Sequence, residues 1–129
     1  MNGNRLLDTN IVVRLMNGDP RITARIGNAE NFLISSIVLG ELYFGAVNSG
    51  RVAENLARIQ QFKEQSAVLN CDSDTARQYA DVRLALRKKG RPIPENDIWI
   101  AASALQHGLT LVTRDRHFNE IAGLQIEVW

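Results

Sequence analysis

An α/β fold is expected for this chain: a central, mostly parallel sheet of about four to five short strands, covered by helices on both faces. Three observations predict it. Short apolar runs alternate with segments of helical spacing along all 129 residues, the pattern of successive strand–helix crossovers. Gly18, Gly90 and Gly108 fall just beyond helical segments, where a stop signal belongs. No internal repeat, low-complexity tract or Pro/Gly-rich linker divides the chain, so residues 1–129 read as one domain.

Residues 5–7 form the first apolar run, ended by Asp8. Ile11, Val12, Leu15 and Met16 then repeat at helical spacing over 9–17, up to Gly18. Pro20 opens a second short helix through 29. Residues 32–34 are the next strand, and Ser35 or Ser36 caps a helix over 37–47. Residues 52–65 carry an apolar stripe through Val52, Leu56, Ile59 and Phe62 and form an amphipathic helix. A strand at 67–69 follows. Asp72 or Ser73 caps a long helix through Lys89, with Tyr79, Val82 and Leu86 on one side. Pro92 and Pro94 keep the chain extended up to Glu95, where a helix begins that runs to His107. Residues 110–112 are a strand, 117–121 a short helix and 125–128 a last strand.

Fifteen Lys and Arg against fourteen Asp and Glu leave a formal charge of +1, so no global field draws the molecule to nucleic acid or an anionic membrane. Any polyanion site must be local. Cys71 is the only cysteine and cannot form an intramolecular disulfide, which fits a reducing compartment. Asp8 and Asn10 interrupt the first apolar stretch, so it does not read as a signal peptide, and no window approaches a membrane span. A cytoplasmic protein without membrane contact is expected.

Four acids stand in unusual places. In an open α/β sheet the functional crevice lies beyond the carboxyl ends of the strands. Asp8 ends the first strand, and Asp115 follows the 110–112 strand by Thr113 and Arg114, so parallel strands bring both to one rim. Glu41 has Ile37, Val38, Phe44 and Gly45 as helical neighbours, which sets a carboxylate within an apolar face. Asp97 lies above Ile100, Ala101 and Ala104 in a first helical turn. Singly, each acid has an ordinary structural explanation as a cap, a dipole partner or half of an ion pair. Together at one rim they repel, and deep pKa shifts or cations must hold them. A shared metal site is the economical account. Oxygen ligands without a Cys/His cluster favour Mg²⁺ or Mn²⁺ over Zn²⁺, and such sites act on phosphate esters.

Leu6-Leu7-Asp8-Thr9-Asn10, Ser36-Ile37-Val38-Leu39-Gly40-Glu41-Leu42, Asn96-Asp97-Ile98-Trp99-Ile100-Ala101-Ala102 and Leu111-Val112-Thr113-Arg114-Asp115, in this order and spacing, resemble the PIN-domain ribonucleases. Within that family the chain looks most like the VapC toxins of VapBC toxin–antitoxin pairs, over essentially its whole length. The resemblance implies a three-layer α/β/α domain, Mg²⁺- or Mn²⁺-dependent endoribonuclease activity, a homodimer and a cognate antitoxin protein. It implies that Asp8, Glu41, Asp97 and Asp115 hold the metal, with Asp8 and Asp97 the firmest ligands, Asp115 direct or through water, and Glu41 on a second ion or orienting the attacking water. Thr113 matches a frequent hydroxyl beside the last acid. Asn10 is a candidate support for the ligands, and Arg114 and Arg116 are candidate substrate contacts. Some relatives carry a further acid just before the Phe that follows the fourth; here His117 precedes Phe118 and the nearest acid is Glu120, so one ion or two stays open. The product expected by resemblance is a 3′-hydroxyl.

Three alternatives have their own signatures. A haloacid-dehalogenase-like phosphatase wants a second Asp two residues after the first, where this chain has Asn10. A receiver-like domain needs an acid at a middle strand's end, and Asp72 and Asp74 lack a matching acidic pair. A non-catalytic PIN-like module binding RNA or protein would not need all four acids. Arg83, Arg87, Lys88, Lys89 and Arg91 are the concentrated basic segment, read either as phosphate contacts or as partners of a helix C-terminus. His117 reads as structural, His107 as a capping residue, Trp99 as core or dimer interface and Trp129 as a seal on the sheet edge. Leu42, Tyr43 and Phe44 make the Glu41 helix apolar nearly all round, fit to meet a second subunit or an antitoxin segment. Four clustered carboxylates would also attract a cation, most readily an Arg, from an antitoxin tail.

Overall fold

The structure is a computed structural model and describes residues 4–28 and 31–129. The elements run β1 (Asn4–Leu7), α1 (Thr9–Met16), α2 (Pro20–Asn28), β2 (Asn31–Ser35), α3 (Ser36–Val47), α4 (Val52–Glu64), β3 (Ala67–Leu69), α5 (Ser73–Lys89), α6 (Glu95–His107), β4 (Thr110–Val112), a 3₁₀ turn (Arg116–Glu120) and β5 (Ile126–Glu127). The five strands form one sheet in the order β3-β2-β1-β4-β5, with every neighbouring pair parallel. Helices cover both faces in a three-layer α/β/α arrangement. None of the described helices is long and apolar enough to cross a membrane.

The order of the strands decides where a site can form. From β1 the chain steps to β2 and β3 on one side, then returns to lay β4 and β5 on the other. Crossovers therefore diverge between β1 and β4, and a crevice opens beyond their carboxyl ends. The register pairs Leu6 with Leu111 and Leu7 with Val112, so the residues that follow, Asp8 and Thr113, leave the sheet side by side. Leu6, Leu7, Ile11, Val12, Ile34, Val38, Ile100, Leu111, Val112 and Phe118 are all fully buried and fix this arrangement from below.

Local signals act largely as expected. Ser35 closes β2 and caps α3, its hydroxyl accepting from the Val38 N–H at 3.2 Å. Asp72 caps α5 in a reciprocal box with Thr75, and Gly90 ends that helix in the left-handed region at φ 69°. Differences lie at the margins. The short helix expected at 117–121 is a 3₁₀ turn one residue earlier, and the strand expected at 125–128 keeps only Ile126–Glu127. Position 29, the expected end of the second helix, lies outside the described residues. Trp129 is buried at the sheet edge, donating from its indole to Glu127 at 2.8 Å. Trp99 is half-buried and stacked on Tyr79, with ring centroids 4.1 Å apart, rather than sunk in the core. Phe44 remains 67% exposed, as an all-round apolar helix would leave it.

Candidate metal centre

Asp8 has two roles at the end of β1. Its Oδ1 accepts the Thr9 N–H at 2.8 Å and so caps α1, while its Oδ2 accepts the Thr113 hydroxyl at 2.7 Å. Its own N–H donates to the Val112 carbonyl at 2.9 Å, extending the ladder by one bond and fixing the carboxylate between the two strands. Burial pushes its pKa above the ordinary 3.8, against the Thr113 and Thr9 hydrogen bonds and with the neighbouring charges of Glu41 and Asp115.

Asp97 enters from α6, in the first turn after Pro94, whose carbonyl accepts the Asp97 N–H at 3.1 Å. Burial, opposed by a hydrogen bond from His117 and reinforced by the charges of Asp8 and Asp115, raises its pKa to about 6. Asp115 follows β4; its N–H donates to the Thr113 hydroxyl at 3.0 Å and its Oδ1 accepts the His117 N–H at 3.0 Å. His117 Nδ1 lies 3.2 Å from Asp97 Oδ2 and 3.0 Å from Asp115 Oδ1. Glu41 reaches the rim from α3, held by the Thr9 hydroxyl on one oxygen and the Asn96 amide, at 3.2 Å, on the other.

Asp8, Asp97 and Asp115 thus act on one another electrostatically at one rim, tied by Thr113 and His117, and Glu41 joins them through its charge on Asp8 and the shared Thr9. Thr113 bridges two acids. Asn10 makes no hydrogen bond to them, and its Oδ1 is buried without a partner among the described residues. Arg114 turns away, donating from Nε to the Trp129 carbonyl, and Arg116 is exposed without an ion pair among the described residues. Glu41 is not enclosed by an apolar face as its helical neighbours predict: Phe44 and Gly45 are exposed, and polar partners hold the carboxylate.

Three residues at the site escaped the sequence reading. His117 reads as structural in the sequence, yet its ring sits between two acids. The available signal was its position two residues after Asp115, where an Asx turn folds the chain back on the carboxylate. Thr9 and Asn96 each adjoin one acid of the rim in sequence and bind another in space, a pairing only the fold creates.

One ligand atom each from Asp97, Asp115 and His117 lies within 4.8 Å of the others. That spacing suits a single divalent ion. The donor set fits one, since the Asp97 carboxylate, raised in pKa by burial and by the neighbouring charges of Asp8 and Asp115, is relieved by a cation, and an imidazole beside it moves the preference from Mg²⁺ toward Mn²⁺.

A family model for the PIN domain matches residues 5–124. The chain belongs to the PIN-domain family. It is 37% identical to "Ribonuclease VapC2" of Haemophilus influenzae and 36% identical to "tRNA(fMet)-specific endonuclease VapC" of Salmonella typhimurium, each over 96% of both chains. Among solved structures it is similar to the VapBC of Salmonella typhimurium bound to DNA, at a TM-score of 0.93 and 36% identity over 100% of this chain and 99% of that one. It is similar also to VapBC2 of Rickettsia felis bound to a promoter DNA fragment, at 0.92 and 30% identity over 98% of each chain. The PIN-domain fold is therefore common to this chain and those solved structures.

Proposed function

We propose that this PIN-domain protein is a divalent-metal-dependent endoribonuclease, the toxin of a toxin–antitoxin pair, acting as one homodimeric domain. The observation that carries the reading is the convergence of Asp8, Glu41, Asp97 and Asp115 at the β1/β4 crevice, with Asp8 and Asp97 raised in pKa. The relatives' names, ribonuclease and tRNA-specific endonuclease, support the reaction class. The solved VapBC assemblies support a partner antitoxin.

Asp97, Asp115 and His117, with Asp8 beside them, would hold Mg²⁺ or Mn²⁺. Such an ion supplies charge neutralisation at a phosphoryl oxygen and acidifies a water. The chain's own groups do the rest. Glu41, pinned by Thr9 and Asn96, orients the attacking water and takes its proton. The water oxygen bonds to phosphorus, the bond to the 3′ oxygen breaks, and that oxygen leaves as a 3′-hydroxyl after protonation from solvent. Thr113 keeps Asp8 and Asp115 in register throughout.

The test is incubation with total RNA under Mg²⁺, Mn²⁺ or EDTA, beside an Asp8→Asn, Asp97→Asn double variant, with new ends mapped by sequencing. Discrete cuts that need metal and vanish in the variant are expected. Identical patterns in all lanes would sink the ribonuclease reading.

A further inference from the structure

The basic segment takes no part in the acidic rim, and the fold packs its helix against α6, which carries Asp97. α5 and α6 pack as an antiparallel pair: Asp72 and Thr75 at the start of α5 bind Gln106 near the end of α6. Further along, Tyr79 and Arg83 in the middle of α5 bind Glu95 at the start of α6. Beyond them Leu86 and Arg87 line one cleft with Glu95 and Ile98, the residues of α6 on either side of Asp97.

Two of the five cations are already engaged, Arg83 with Glu95 at 3.7 Å and Lys89 with Glu120 at 3.3 Å. Arg87, Lys88 and Arg91 are exposed and have no ion pair among the described residues. Partnership with the helix C-terminus accounts for cations in the last turn. It does not account for Arg91, which lies beyond the helix, nor for the cleft of about 440 Å³ that Arg83 and Arg87 border. Leu86, Pro92, Ile93 and Ile98 line that cleft together with Glu95, whose carboxylate Arg83 neutralises, and Glu95 and Ile98 belong to the same helical turns as Asp97. An apolar lining with the unpaired Arg87 at its edge suits a nucleotide, with its base or ribose on the apolar side chains and its phosphate on Arg87.

We propose that Arg87, Lys88 and Arg91, with the cleft between α5 and the first turns of α6, form a backbone track for the RNA strand flanking the scissile phosphate. The proposal rests on the ribonuclease reading and adds where the substrate lies. It also explains how a protein of net charge +1 holds a polyanion beside four carboxylates.

The probe is fluorescein-labelled bulk tRNA, titrated in EDTA over a range of salt so that binding is read apart from cleavage. Arg87→Glu with Arg91→Glu is compared with Arg51→Glu with Arg77→Glu, an equal charge change at the far end of α5 and ahead of α4. The track variant is expected to bind about tenfold more weakly or worse, with the salt slope reduced by about 1.5, and the control to stay within about twofold of wild type. With Mn²⁺ the track variant should raise KM and leave single-turnover kcat at saturating RNA unchanged. Thermal melting and the milder Arg87→Gln, Arg91→Gln pair separate lost contact from lost fold. Equal affinities for track variant, control and wild type overturn the track. Loss of a dimer in the track variant by light scattering overturns it too, assigning the patch to a subunit contact. A wild type that neither binds tRNA nor cuts any RNA with Mn²⁺ defeats the ribonuclease reading itself, and the track with it.

Discussion

Thr113 donates its hydroxyl to Asp8 Oδ2 at 2.7 Å across the β1–β4 seam, and both side chains are almost wholly removed from solvent. The Thr113 hydroxyl oxygen in turn accepts the Asp115 N–H at 3.0 Å, so one hydroxyl sets the spacing of two acids. Thr113→Val keeps the shape and removes the donor. A buried carboxylate oxygen is then left unmatched, which costs about 1–3 kcal/mol at neutral pH. Urea denaturation should register that loss, Mn²⁺ titration calorimetry should give about tenfold weaker binding, and Thr113→Ser should recover most of both. Wild-type metal affinity in the valine variant would remove Thr113 from the site.

Electrostatics at the rim predict a pH dependence with a definite sign. Asp97 has a folded-state pKa of about 6, above its ordinary 3.8, so its protonated form suits the folded protein better. The stability it contributes is fully present below about pH 4 and is lost as pH rises through 6. Asp8 is shifted in the same direction. A divalent ion needs the ionised acids, so Mn²⁺ should raise the melting temperature little at pH 5 and strongly at pH 7.5. Asp97→Asn should flatten the metal-free loss between those values. A Mn²⁺ effect independent of pH would contradict the account.

How much of this was legible in the sequence follows from the range of each interaction. Strand and helix order, the Gly90 and Gly108 stops and the Asp72 cap depend on neighbours a few residues apart, and their reading agrees with the fold. Asp8 and Asp115 could be placed at one rim because parallel strands export their ends to the same edge. The support around the acids was not legible in the same way. Thr9 binds Glu41 and Asn96 binds Glu41 across 32 and 55 residues, and no periodicity encodes such pairs. Arg114 was a candidate substrate contact because it precedes Asp115 in sequence, yet the extended chain after β4 sends alternate side chains to opposite sides, and Arg114 goes to Trp129.

His117 changes what metal the site should prefer. An all-oxygen set would bind Mg²⁺ and Mn²⁺ by charge and size alone, whereas an imidazole nitrogen within reach of the Asp97 and Asp115 oxygens favours Mn²⁺. Calorimetry on the wild type should therefore give tighter binding of Mn²⁺ than of Mg²⁺, and His117→Ala should narrow that gap by weakening Mn²⁺ about tenfold or more. An unchanged ratio in the alanine variant would make His117 a bystander that only braces the two acids.

Glu41 is held at the rim by partners rather than by burial, and that can be separated from its charge. Asn96 is exposed, so Asn96→Ala should alter stability by no more than about 0.5 kcal/mol. It frees one Glu41 oxygen while the Thr9 hydroxyl still holds the other, and single-turnover RNA cleavage should slow by about tenfold as the carboxylate loses its orientation. Glu41→Gln keeps the shape and removes the proposed base, so its rate should fall by about a hundredfold or more. The two changes act on one group, so the double variant should be no slower than Glu41→Gln alone. Additive losses would mean that Asn96 acts on the RNA directly instead of through Glu41.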